Sequence, residues 1–255
     1  MQRELRMLNL QADILLLLIK NLHRKMRKYM DEKSIDSFID FGHKQLSLIE
    51  QRNGEVIYSS KETFKKGKYY FLGLNPGGEG FVSIKKHLDD FSTWTKNSIC
   101  DLKWNTSNHE YAEGQSPLQL RMQYLFNNIL KSDIRDVFST NLIFETTKSA
   151  DTLNFGLAGL CWSVHESALS VIQPEVIITC GNDQEKSAFS FIADLYCGKI
   201  EQKFLSGTFT IKYSKIIIQS RTTLLIGLPH LSRFEIRDNE DFKRKLLNIL
   251  KENNG

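Results

Sequence analysis

No two of the four cysteines stand close together. Cys100, Cys161, Cys180 and Cys197 form no Cys-x-x-Cys pair, and no histidine follows at zinc-finger spacing. A metal cluster or disulfide framework is therefore not expected, and a reducing, cytoplasmic setting is. Long apolar runs are also missing: the longest, Ile14 to Ile19, has six residues, too few to cross a bilayer. Glu4 and Asp13 precede it and no small-residue cleavage site follows, so it does not read as a signal peptide or imply a membrane partner. Neither Gly-x-x-x-x-Gly-Lys-Ser/Thr nor Gly-x-Gly-x-x-Gly occurs, which argues against the common nucleotide-binding loops. Repeats and low-complexity tracts are absent. Charge of neither sign dominates: 34 Lys plus Arg against 30 Asp plus Glu leave +4, compatible with a polyanionic partner without demanding one.

With 41% hydrophobic residues, the 255-residue chain has enough apolar material for one large core. Residues 1–60 read as an N-terminal helical extension packed on a principal domain, 61–255. Leu5, Leu8, Leu15, Ile19 and Leu22 recur at helical spacing over residues 3–30, before a basic end that reads as a solvated face. A second helix is expected from Ser34 to Glu50, with Phe38, Phe41, Leu46 and Ile49 inward, then a short strand from Glu55 to Ser59.

Four core strands are expected at 69–74, 136–144, 176–180 and 223–228, with a strand pair at 208–213 and 215–218 before the last. Helical segments separate them: one opened by Ser116-Pro117, one from Asn154 to Ile172, one after Gly181-Asn182-Asp183, and one from Asp238 to Lys251. That alternation predicts an α/β fold, three layers deep, around a mainly parallel four-stranded sheet. Residues 83–114 show little periodicity and read as a long loop or insertion, with Trp94, Trp104 and His109 as packing or loop-anchoring residues.

The chain is organised around Tyr69-Tyr70-Phe71-Leu72-Gly73-Leu74-Asn75-Pro76-Gly77-Gly78, an apolar strand that stops at a tight turn. If the four strands are parallel, the loops at their carboxyl ends share one edge. Those loops carry Asn75-Pro76-Gly77-Gly78, Asn141, Gly181-Asn182 and His230-Leu231-Ser232-Arg233-Phe234. They supply amides, an imidazole, glycine N–H groups and an aromatic, with no obligatory carboxylate pair or thiolate. Such a set suits recognition of a neutral heterocycle better than a Ser-His-Asp triad.

In order and spacing these segments resemble the motifs of the uracil-DNA glycosylase superfamily. Gly73-Leu74-Asn75-Pro76-Gly77 resembles the first motif of its mismatch-specific and single-strand-selective branches. Val137-Phe138-Ser139-Thr140-Asn141-Leu142 resembles the strand whose terminal Asn reads the base. Leu228-Pro229-His230-Leu231-Ser232-Arg233-Phe234 is similar to the last motif, with Leu231 where Pro usually follows the His. The resemblance covers about residues 68–235.

It implies a monomeric DNA glycosylase that needs no metal or other cofactor, on single- or double-stranded DNA. Asn75 would orient the attacking water, less effectively than the Asp of the most active branch. Asn141 would read the flipped base, Phe81 would stack on it, and His230 would donate to the base carbonyl. Gly77, Gly78 and Ser232 would approach phosphates, while Arg233 and Phe234 would fill the gap left by the extruded nucleotide. Gly77 stands where the strictly uracil-specific branch has a Tyr, so C5-modified and even hypermodified phage pyrimidines become candidates and a defence role conceivable. Cys161 falls where iron-sulfur branches place a ligand, but Glu145 replaces the expected partner, so no cluster is expected.

Each residue also has a plainer reading: Asn75 as a turn stabiliser, Asn141 as a strand-end cap, His230 as a hydrogen-bonded loop residue, Phe81 as core. At the level of function the alternatives are a module that binds a modified base without cleaving it, and a nucleotide-binding hydrolase.

Overall fold

A computed structural model describes residues 34–78, 82–105, 109–148, 150–183, 185–205 and 208–253. The expected helix over residues 3–30, with its basic end, and Phe81 lie outside the described residues. The first helix, α1 (Ile35–Leu46), is capped by the Ser34 side chain and buries Phe38, Ile39 and Leu46. Then follow β1 (Tyr69–Gly73), α2 (Ile84–Asp90), α3 (Ser98–Asp101) and α4 (Pro117–Gln123), which continues as a π-helical turn over Tyr124–Ile129. Next come β2 (Phe138–Asn141), α5 (Leu157–Ile172), β3 (Val176–Cys180), α6 (Ala188–Leu195), β4 (Glu201–Phe204), β5 (Thr210–Ile218), β6 (Arg221–Leu228) and α7 (Glu240–Asn253).

These strands make one mixed six-stranded sheet, ordered β2-β1-β3-β6-β5-β4. The β2-β1-β3-β6 part is parallel, and β5 and β4 extend it antiparallel. Successive residues of the central strands enter opposite cores, as the two-residue repeat of a strand requires. Tyr70, Leu72, Ile177 and Leu225 pack with residues of α1, α5 and α6. Tyr69, Phe71, Ile178 and Ile226 pack with Met122, Leu125, Phe126, Phe242, Leu246 and Ile249. Burial on both faces explains why β3 is apolar but for Thr179.

The four-stranded expectation is corrected in three places. Thr210–Ile218 is one strand rather than two, because Ser214 does not interrupt it but is buried beside Gly198. Its hairpin partner is β6, joined through Gln219 and Ser220, both at positive φ as a tight two-residue hairpin turn requires. The sixth strand, β4, is polar and exposed, which suits a sheet edge and hides it from periodicity. Residues 55–59 form no strand of their own. They lie along β2 through the bridge Ile57↔Thr140 and the bond from Tyr58 N–H to Ser139 O (2.7 Å). The irregular 83–114 region contains α2 and α3, each started by a side-chain cap, Ser83 and Asn97.

Candidate functional site

β1 connects to β2 on one side, while β3 connects toward β6 on the other. The carboxyl ends of β1 and β3 therefore flank a switch point, where an open α/β sheet leaves a crevice. Asn75 leaves β1 at that point. Asn141 ends β2 opposite Gly73, and His230 follows β6, whose Leu228 pairs with Cys180 of β3. The two outer strands are three spacings apart, roughly 14 Å at about 4.8 Å each.

Beyond the sheet the β1 and β2 loops run side by side. Leu142 N–H donates to Gly73 O (3.0 Å), Ile143 N–H to Leu74 O (2.9 Å) and Thr147 N–H to Pro76 O (3.2 Å), with a further bridge Gly77↔Thr147. Asn75 locks the pair. Its Nδ2 donates to Pro76 O (2.8 Å) and Thr147 Oγ1 (2.9 Å), with a longer contact to Glu145 O (3.5 Å). Carbonyl acceptors can take only the N–H end of the amide, so the orientation is settled and Oδ1 is left without a partner among the described residues. Asn75 is thus a turn stabiliser through its nitrogen and an available acceptor through its oxygen.

Asn141 is 3% exposed, and its Nδ2 has no hydrogen-bond partner among the described residues. Its Oδ1 lies over Gly73: a Cβ built there would come within 2.1 Å of it, so only glycine at 73 leaves room for the amide. Alongside β2, the Tyr58 ring rests on Trp104 with centroids 5.6 Å apart. Burial raises the Glu55 pKa, opposed by Tyr58, and raises that of Tyr58 further.

His230 is held neutral. Its Nδ1 accepts from Ser232 N–H (3.3 Å) and meets Ser232 Oγ at 2.7 Å, which places the ring proton on Nε2. Burial depresses its pKa, Arg233 depresses it further and Asp183 opposes both. The ring lies against Gly181, which has φ +94°. Leu231, which stands where Pro is usual, is fully buried. Leu231 N–H donates to Cys180 Sγ (3.4 Å), and Arg121 Nη1 donates to Leu231 O (2.6 Å) while pairing with Glu235.

Phe234 does not fit the role expected of it. It is buried at 4% exposure, with ring centroids 4.8 Å from Phe209 and 5.7 Å from Phe242, so it belongs to the core and is not free to enter DNA. Ser232 and Arg233 are exposed. At Gly77 and Gly78 an added Cβ would meet nothing within 4 Å, and Gly78 has φ +98°. Both glycines are exposed.

Arg121 and Thr147 were missed by sequence reasoning. Only Thr147 carried a signal, through the polar run Glu145 to Lys148 that follows β2. A broad open depression of about 650 Å³, lined by Lys103, Glu110, Tyr111, Ala112, Glu113 and Gln115, contains none of the candidate residues. Among the described residues no cluster of His, Cys, Asp or Glu could hold a metal ion, and no helix is long and apolar enough to cross a membrane. No family model and no curated protein matches the chain.

Proposed function

We propose that this chain is a monofunctional DNA glycosylase that excises a uracil-like or C5-modified pyrimidine, on a three-layer fold of the uracil-DNA glycosylase kind. One observation carries the reading: at the switch point of the sheet, the amide nitrogen of Asn75 is consumed by its turn, leaving its carbonyl to hold a water. Asn141 and a neutral, Nε2-protonated His230 stand on the flanking strands.

In this mechanism the base leaves the stack and meets Asn141. As the C1′–N bond breaks, its electron pair moves into the base and charge grows on a ring carbonyl oxygen, where His230 Nε2–H donates. Water oriented by Asn75 Oδ1 then bonds to C1′ of the oxocarbenium-like sugar and loses a proton to solvent, the departed base anion takes a proton up, and an abasic site is left. None of the resembling motifs brings a Lys to the site as a Schiff-base nucleophile, so strand cleavage is not part of the reaction. With Phe234 in the core, that ring does not offset the few kcal/mol that extrusion from a duplex costs, which favours single-stranded DNA.

The direct test is alkali treatment of oligonucleotides carrying a panel of pyrimidines, single- and double-stranded, after incubation with the protein. Abasic breaks at one or more bases, faster in single strands, are expected. Tight binding without breaks at any base would leave the non-cleaving module as the better account.

The open space at Gly77 makes a second prediction. Gly77→Tyr should lower release of a C5-substituted pyrimidine at least about tenfold while largely sparing uracil. A Cβ at this position meets nothing within 4 Å, so the backbone of the turn admits a side chain there. Equal loss on both bases would show that Gly77 does not border the C5 side.

A further inference from the structure

We propose that the chain forms a two-fold symmetric dimer in which the free edge of β4 pairs antiparallel with β4 of a second copy, so that the sheet continues across the axis. A dimer replaces the monomer that the motif resemblance implies, and nothing in it depends on the glycosylase reading.

β4 ends the sheet, with β5 on one side and no strand on the other among the described residues. Which of its backbone groups face outward follows from its pairing with β5. Leu205 N–H donates to Phe209 O (2.8 Å), so that pair is a hydrogen-bonded one, and the alternation of an antiparallel ladder turns Lys203 and Glu201 toward β5 as well. Gln202 and Phe204 therefore point their N–H and C=O groups away from the sheet, and Ile200 does the same once the strand runs one residue further. The Phe204 carbonyl already accepts from Lys245 Nζ and keeps a second lone pair.

Charge then selects one register. Outward residues can bond only to outward residues, so Gln202 must face Ile200, Gln202 or Phe204 of the second copy. Facing Ile200 sets Glu201 against Glu201, and facing Phe204 sets Lys203 against Lys203; like charges directly opposite destabilise a pair of strands. Facing Gln202 sets Glu201 opposite Lys203 twice, at the non-hydrogen-bonded positions where side chains come closest. Glu201 is held at this edge by the Tyr213 hydroxyl, which donates to Oε2 (2.7 Å), while the Lys203 side chain has no partner among the described residues.

The same register brings Ile200 opposite Phe204 on the other face of the sheet. These side chains are 47% and 64% exposed, and the pairing covers both. β4 lies two strands beyond β6, so the crevice at the ends of β1 and β3 stays open in the dimer.

Sedimentation equilibrium of the full chain from about 1 to 300 μM tests this; five residues a side make a small interface, so association should be reversible and rise with concentration. Gln202→Pro removes the outward N–H at the axis but no bond to β5, and should weaken dimerisation at least about tenfold with the fold intact. Lys203→Glu and Glu201→Lys each set like charges opposite one another and should stay monomeric where wild type is half dimeric. Mixed in equal amounts, these two variants should form a heterodimer, because every facing pair is then opposite in sign. That rescue excludes misfolding as the cause of the single losses. A wild type that stays monomeric over this range, a dimer unchanged by Gln202→Pro, or charge reversals that fail to restore each other overturns the inference.

Discussion

Replacing His230 by Ala is expected to lower base release by about 10²- to 10³-fold, the usual consequence of deleting one preorganised donor to a developing oxyanion, with DNA affinity little changed. The protonation state of the ring sets this role. Nδ1 accepts from the Ser232 backbone, so the proton sits on Nε2, and burial with the neighbouring Arg233 keeps the ring neutral. A neutral donor gains most when the acceptor becomes charged, so its contribution falls on kcat rather than on binding.

The pH profile follows with a definite sign. Because the folded pKa lies below 6.5, protonation of His230 should not itself lower activity within the ordinary histidine range; its effect comes at lower pH, when Nδ1 takes a proton and can no longer accept from Ser232. Asn75→Ala should cost at least about tenfold in kcat, less than His230, because water can still be captured without the Oδ1 acceptor. Single-turnover kinetics on the preferred base would measure both. Undiminished release by His230→Ala would show that a different group meets the leaving base.

The parts of this arrangement that the sequence discloses are those set by local pattern. β3 is a continuous apolar run, α4 opens with Ser116, Pro117 and a Gln119 that completes its capping box, and the β1 turn spells out Asn-Pro-Gly-Gly. What stayed hidden depends on neighbours distant along the chain. Phe234 looks like an exposed loop aromatic until Phe209 and Phe242 close around it. Ser214 looks like a break between two strands until Gly198 gives it a place to pack.

Gly73 shows both sides of this. Its place in a motif is visible in the sequence. The reason no other residue will serve there, the Asn141 oxygen 2.1 Å from any Cβ, requires the β1–β2 register.

The second large effect concerns how the Asn141 end of β2 is held, and it is expected to appear as acid lability. His165 is fully buried between the sheet and α5. Its Nε2–H donates to Leu142 O (3.1 Å), and its Nδ1 accepts from the Tyr70 hydroxyl (2.9 Å), so both ring nitrogens are used by the neutral form. Burial penalises the charged ring and depresses the His165 pKa from 6.5 to about 4, against the opposing pull of the Leu142 and Asn141 carbonyls.

The unfolded chain binds that proton near 6.5, so stability is complete above this pH and is lost as pH falls toward about 4. At about 1.4 kcal/mol per pH unit the loss reaches about 3 kcal/mol, a large share of the 5 to 15 kcal/mol typical of a folded protein. His87 is also depressed to about 4, but it is only partly buried by area and accepts a long bond from Val56 N–H (3.4 Å), so its share should be smaller. The Glu235 carboxyl, lowered to about 2 by Arg237 and Arg121, is exposed enough that solvent screens most of its effect.

Urea unfolding of wild type and His165→Gln, at steps between neutral pH and about 4.5, separates these sources. Gln can supply a donor and an acceptor but does not titrate, so its stability should fall much less steeply with acid, even if it starts lower. Parallel curves would mean that the acid sensitivity lies elsewhere. If His165→Gln flattens the curve as expected, release of the base by wild type should fail in the same pH interval as the fold, because the carbonyl that His165 holds belongs to the residue next to Asn141.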